Sequence, residues 1–96
     1  MILTVQDRLN KRARELLKAL GAPWTTKIID LERCVYRDFG DHDVEVSSGR
    51  QHFGIYVWAK RPGLHIIENY RVKTVDEALG ICREIEARYS ATRAAK

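Results

Sequence analysis

Four potential metal ligands crowd into one short stretch of this chain: Asp38, Asp41, His42 and Asp43. A hard divalent ion could use their oxygens, but the EF-hand spacing is missing and no second histidine follows at helical separation. Aspartates at this density also bond local backbone groups where one element ends and the next begins, so the stretch reads as a turn and no metal is assigned. Cys34 and Cys82 are the candidate nucleophiles. Each falls among apolar residues at helical spacing, where desolvation raises a thiol's pKa, so both are expected as reduced, buried, inert thiols. His52 and His65 stand apart from any nucleophile, and the glycines at 21, 40, 49, 54, 63 and 80 are scattered rather than gathered into a phosphate cradle. Acyl transfer needs a nucleophile, a base and an oxyanion site together. Nothing here supplies that combination, so the chain is read as non-enzymatic and without a cofactor.

Surface recognition remains, and its residues lie between Phe53 and Arg71. Phe53, Ile55, Val57 and Ala59 alternate with Gly54, Tyr56, Trp58 and Lys60, the period of a strand with one buried face. Arg61-Pro62-Gly63 breaks the run, and Leu64 to Tyr70 resumes it. An even-length loop would put Ile55, Val57 and Ala59 on the same face as Leu64, Ile66 and Tyr70. Tyr56, Trp58 and Ile67 then share the other face with Lys60, His65 and Arg71. The first face is expected to be core. The second is an aromatic and apolar patch with a basic rim, the composition of an interface, unless the apolar stripe of the first helix covers it. Glu68 falls on the core parity, where it needs either a sheet edge and water or a base such as Arg83 or Arg88.

The elements that would hold this hairpin follow from periodicity and punctuation. Thr4 with Asp7 resembles a capping box, and Val5, Leu9, Ala13, Leu16, Leu17 and Leu20 make a helical stripe closed by Gly21 and Pro23. A helix is predicted from Val5 to Leu20. Residues 25–39 fit two periods. Ile28, Leu31, Val35 and Phe39 suit a helix, whereas a strand would leave Arg33 and Arg37 beside Val35 on a buried face; a helix over 27–39 is preferred, with Trp24 packing back on its first turn. Val44-Glu45-Val46 is a short alternating strand that Ser47-Ser48-Gly49 ends. Thr74 with Glu77 is a full capping box before a stripe at Val75, Ala78, Leu79, Cys82, Ile85 and Tyr89. The predicted fold is α+β in a single domain. A basic helix within residues 1–21 precedes an α-β-β-β-α core over 27–91, whose three-stranded antiparallel meander is covered by helices on one face, and residues 92–96 form a frayed tail.

A length of 96 residues suits one core. Hydrophobic residues at 45% and charged residues at 31% are those of an ordinary globular chain. No apolar run is long enough for a membrane span and the N-terminus lacks a secretion-signal layout, so a cytoplasmic protein is expected. Charge is uneven: residues 1–27 carry six Lys and Arg against two acids, 28–69 five against seven, and 70–96 six against four. The basic first helix therefore offers a nucleic-acid-binding alternative through Arg8, Lys11, Arg12 and Lys18, joined by Arg50 and His52.

From Lys27 onward, the predicted order of helix, three strands and helix resembles double-stranded-RNA-binding domains. Gly49-Arg50-Gln51-His52 resembles their Gly-Pro-x-His loop, and Thr74-x-x-Glu77-Ala78 sits where their last helix begins, which implies a minor-groove contact by the loop. The lysine cluster of that family is replaced here by Val75-Asp76-Glu77, with only Lys73 before it. A fainter likeness to small phage and mobile-element proteins, including inhibitors of bacterial defence systems, lies in Asp43-Val44-Glu45-Val46-Ser47, Ile55-Tyr56-Val57-Trp58 and Val72-Lys73-Thr74-Val75-Asp76-Glu77-Ala78. It implies docking on a larger host protein or complex. The residues themselves lead to the same class: a partner-binding module, on a larger protein or as a homodimer, anchored by Tyr56, Trp58 and Ile67 and oriented by Lys60, His65 and Arg71.

Overall fold

Asn10, not Thr4, opens the first helix in the computed structural model, which describes residues 7–94. Its Oδ1 accepts the Ala13 amide at 2.9 Å, and α1 runs from Lys11 to Leu20. The expected start at Val5 is thereby corrected; Thr4 lies outside the described residues. Gly21, at φ 72°, donates its amide to the Leu17 carbonyl at 2.9 Å and stops the helix in the left-handed region.

Residues 27–39, expected as helix, belong to a β-hairpin. β1 (Thr25–Ile29) and β2 (Glu32–Asp38) are joined through Asp30 and Leu31, at φ 50° and 67°. Consecutive positive φ values make the tight hairpin turn that Asn-Gly usually announces, and Asp-Leu conceals it. Arg33 and Arg37 do lie on the same parity as Val35, but each has a partner from far along the chain. Arg33 donates to the Thr26 hydroxyl at 2.8 Å and the Asp7 carbonyl at 2.6 Å. Arg37 pairs with Glu86 at 2.8 Å, its guanidinium 4.3 Å from the Phe39 ring centroid. Those contacts remove the cost that made a strand look unfavourable.

Three more strands continue the meander: β3 (His42–Ser48), β4 (Phe53–Ala59) and β5 (His65–Val72). The sheet therefore has five antiparallel strands in sequence order, not three. The last helix, α2 (Val75–Ala94), begins at the anticipated box: Thr74 Oγ1 accepts the Glu77 amide at 3.0 Å and Glu77 Oε1 accepts the Thr74 amide at 3.1 Å. It continues through Ala94, into the segment expected as a frayed tail; residues 95–96 lie outside the description.

Register sorts the sheet into two faces. Val35, Val44, Val46, Ile55 and Val57 meet across β2, β3 and β4 on one of them. They form a single core with Ala13, Leu16 and Leu20 of α1 and Ala78, Cys82 and Ile85 of α2, each of these residues 5% exposed or less. Burying a large apolar side chain contributes roughly 1.5–3 kcal/mol, so this cluster is what holds helices and sheet together. Glu68 lies on this side at the edge strand β5, where Arg88, Tyr70 and Tyr89 all donate to it. Burial works to raise its pKa, but those donors outweigh burial and hold it below the usual range. Among the described residues, no helix is long and apolar enough to cross a membrane.

Candidate functional site: the open face of the sheet

Glu45 stands in the middle of the other face, on the central strand. Tyr36 of β2 and Tyr56 of β4 lie directly across from it, and Cys34 and Trp58 take the diagonal positions. Ile29 of β1 and Ile66 of β5 extend the array outward. Flanked in this way, the Glu45 side chain belongs to a residue only 8% exposed. Trp58 donates its indole N–H to Oε1 at 2.6 Å, and the Cys34 Sγ lies 4.0 Å from Oε2. Burial pushes the Glu45 pKa up; the Trp58 hydrogen bond opposes this, Asp30 and Glu32 add to it, and Lys27 opposes it weakly. Cys34 is pushed up to about 12, first by burial and then by Glu32, Glu45 and Asp30, so it is no nucleophile at neutral pH.

Two grooves meet over this carboxylate. Ile29, Asp30, Glu45 and Trp58 line both; Lys27, Tyr36, Asp43 and Leu64 complete one of about 260 Å³, and Glu32, Ser47, Tyr56 and Ile66 complete one of about 330 Å³. Among the described residues, none from a helix lines either. In a flat sheet β1 and β5 would lie about 19 Å apart. Ile29 of β1 shares one groove with Leu64 and the other with Ile66 of β5, so the grooves together cross the open face as a trough.

The trough contains part of the predicted partner-binding set. Tyr56 and Trp58 are in it, half-buried, with Tyr56 leaning over Gly54, where an added Cβ would come within 2.8 Å of the Tyr56 hydroxyl. The loop between β4 and β5 covers residues 60–64, an odd length, and a bulge between Val57 and Trp58 restores the expected parity beyond Ile67. Ile66 consequently pairs with Trp58 on the open face, Ile67 is the extra residue of the bulge, and His65 pairs with Ala59 on the helix-side register. Leu64 and Ile66, expected in the core, are 63% and 44% exposed. Lys60 turns to Asp38 at 2.8 Å and Asp43 at 3.3 Å, and Arg71 places its guanidinium 3.5 Å from His52 Nδ1. Of the stretch expected as a turn only residues 39–41 connect the strands, since Asp38 ends β2 and His42 and Asp43 open β3; Asp38 also accepts the Gly40 amide at 2.7 Å. Among the described residues, no group of three or more His, Cys, Asp and Glu could hold a metal ion.

Of the nucleic-acid set, Arg12, Arg50 and His52 gather at the end of the sheet beside the β3–β4 turn. Arg12 donates to the Arg50 carbonyl at 3.3 Å and to the Lys73 carbonyl, and its guanidinium lies 4.6 Å from the Phe53 ring centroid. Arg8, Lys11 and Lys18 are exposed before and along α1. Sequence reasoning missed Ile29, Asp30, Tyr36 and Glu45. The Val44-Glu45-Val46 alternation already turned Glu45 away from the core, whereas Tyr36 was concealed by the helical assignment of its segment. No family model, curated protein or solved structure matches this chain.

Proposed function

We propose that the chain is a non-enzymatic protein-interaction module that docks on a larger partner through the trough. The observation carrying this reading is the row of Tyr36, Tyr56 and Trp58 with Ile29, Leu64 and Ile66 around grooves that, among the described residues, no helix lines. Aromatic anchors in a concave apolar setting are the usual core of an interface. Capture of partner proteins from lysate by the wild-type chain and by Trp58→Ala tests it, with Glu84→Ala on the exposed side of α2 as control. Loss of about 2 kcal/mol or more of binding is expected for Trp58→Ala alone. Undiminished capture by Trp58→Ala, or its failure to fold, removes the reading. The mass of the free protein in solution separates a larger partner from a second copy.

A second reading, nucleic-acid binding, is favoured by one observation: Arg12, Arg50, His52, Arg71 and Lys73 converge at one end of the sheet. Arg12 spends its donors on backbone carbonyls, so phosphate contact would fall to Arg50, Arg71 and Lys73. Affinity for duplex RNA or DNA that falls steeply with salt is expected on this reading, and a flat titration rules it out.

A further inference from the structure

Glu45 is nine-tenths buried, yet its donors are an indole and a thiol, and no Lys, Arg or His pairs with it among the described residues. A buried carboxylate with no counter-charge is costly, and an apolar side chain would fill the same place without that cost. An ionised carboxylate also has about four acceptor positions, so both oxygens keep capacity after Trp58 and the weak Cys34 donor are satisfied. Asp30, exposed on the turn that rims both grooves, makes no hydrogen bond or ion pair among the described residues. The wall already accepts a cation: Lys27 holds its ammonium 4.8 Å from the Tyr36 ring centroid without pairing with Glu45. Among the described residues the grooves are lined by Asp30, Glu32, Asp43 and Glu45 against Lys27 alone, with Asp43 paired to Lys60, an acidic trough in a chain of net charge +4.

Building on the docking reading, we propose that the trough receives an arginine side chain of the partner protein, its guanidinium in the groove lined by Trp58 and Tyr36 and hydrogen-bonded to Glu45, with Asp30 at the rim. Guanidinium fits better than ammonium because it is planar, weakly hydrated, stacks on aromatic rings and offers several N–H donors to one carboxylate. Ile29, Leu64 and Ile66 provide apolar shoulders for its methylene stem.

The test follows the Trp58 indole N–H signal of the intact, isotopically labelled chain by NMR during titration with a capped Leu-Arg-Leu tripeptide. Its neutral isostere with citrulline at the centre, and the lysine counterpart, serve as comparisons. The arginine peptide is expected to shift that signal saturably and about tenfold more tightly than the citrulline peptide, and Glu45→Gln is expected to erase the difference while the remaining spectrum stays folded. Equal affinity for arginine and citrulline, an arginine preference that survives Glu45→Gln, or no saturable shift would overturn the proposal; lysine binding as tightly as arginine would overturn the guanidinium assignment. If all the peptides bind at Trp58 equally, docking survives and the arginine inference falls. If none binds and Trp58→Ala captures partners as the wild type does, both fall.

Discussion

The two faces of the sheet each carry a carboxylate, and the two shift in opposite directions. Toward the helices, Glu86 accepts the Trp24 indole at 2.6 Å, Arg37 at 2.8 Å and Arg83 at 2.8 Å. Burial works to raise its pKa, but Arg83, Trp24 and Arg37 outweigh burial and hold it below the usual range. On the open face, Glu45 also accepts an indole at 2.6 Å but has no arginine partner among the described residues, and burial prevails. The indole is common to both sites; Glu45 is buried more deeply and Glu86 has two arginines, so depth of burial and counter-charge together set the sign. On the helix side the carboxylate is paired with two arginines of its own chain; on the open side Lys27 lies against the Tyr36 ring and no ion pair reaches Glu45 among the described residues.

Core truncation sharpens that contrast most. Ile55→Ala, on the closed face, is expected to cost about 2–5 kcal/mol in urea unfolding, because a cavity opens among residues with no exposure. Trp58→Ala should cost clearly less, and equal losses would make the open face part of the core.

Replacing the two carboxylates should give effects of opposite sign. Glu86→Gln leaves Arg37 without its anion and is expected to lower stability at neutral pH by about 1–3 kcal/mol. Glu45→Gln keeps an acceptor for Trp58 and removes an uncompensated charge, so stability should stay equal or rise, on the order of 0.5 kcal/mol. The pH dependence follows from the directions of shift. The contribution of Glu86, whose folded pKa is lowered, is present above the unfolded carboxylate range and lost as pH falls through the lowered folded value. For Glu45, whose folded pKa is raised, ionisation opposes folding; the penalty is present above the raised folded value and is relieved as pH falls through it. Thermal melts of both variants should therefore approach the wild type from opposite sides on acidification. A clear loss of stability in Glu45→Gln at neutral pH would make Glu45 a structural ion.

The smallest effect concerns the thiols. Burial first, with nearby acids, raises both Cys34 and Cys82 to about 12, so both should react slowly with Ellman's reagent in the native state. Cys34, beneath the open face, is expected to react before Cys82, which lies in the core shared with α1 and the sheet. The reverse order would place the easier opening at the helices.

What could be read along the chain was local. The alternation of β4, the stripe of α1 from Ala13 to Leu20 and the Thr74–Glu77 box depend on residues within a turn or two of one another, and each has its structural counterpart. The hairpin over 25–38 could not be read that way. Its turn places Leu31 at a φ that leucine rarely adopts, and Arg33 and Arg37 argue against a strand until Asp7 and Glu86 are beside them. The bulge in β5 was equally hidden, and it moved Ile66 into the candidate site while taking His65 out.

By itself, then, the sequence determined periodicities, stops and caps, because these are settled by backbone geometry over a few residues. Tertiary structure alone decided that five strands form one sheet, that two grooves meet over Glu45, and which carboxylates meet an arginine. The physical reason is that the cost of placing a charge on a face depends on its partners. Arg37 and Glu86, 49 positions apart, come within hydrogen-bonding distance only when the chain has folded.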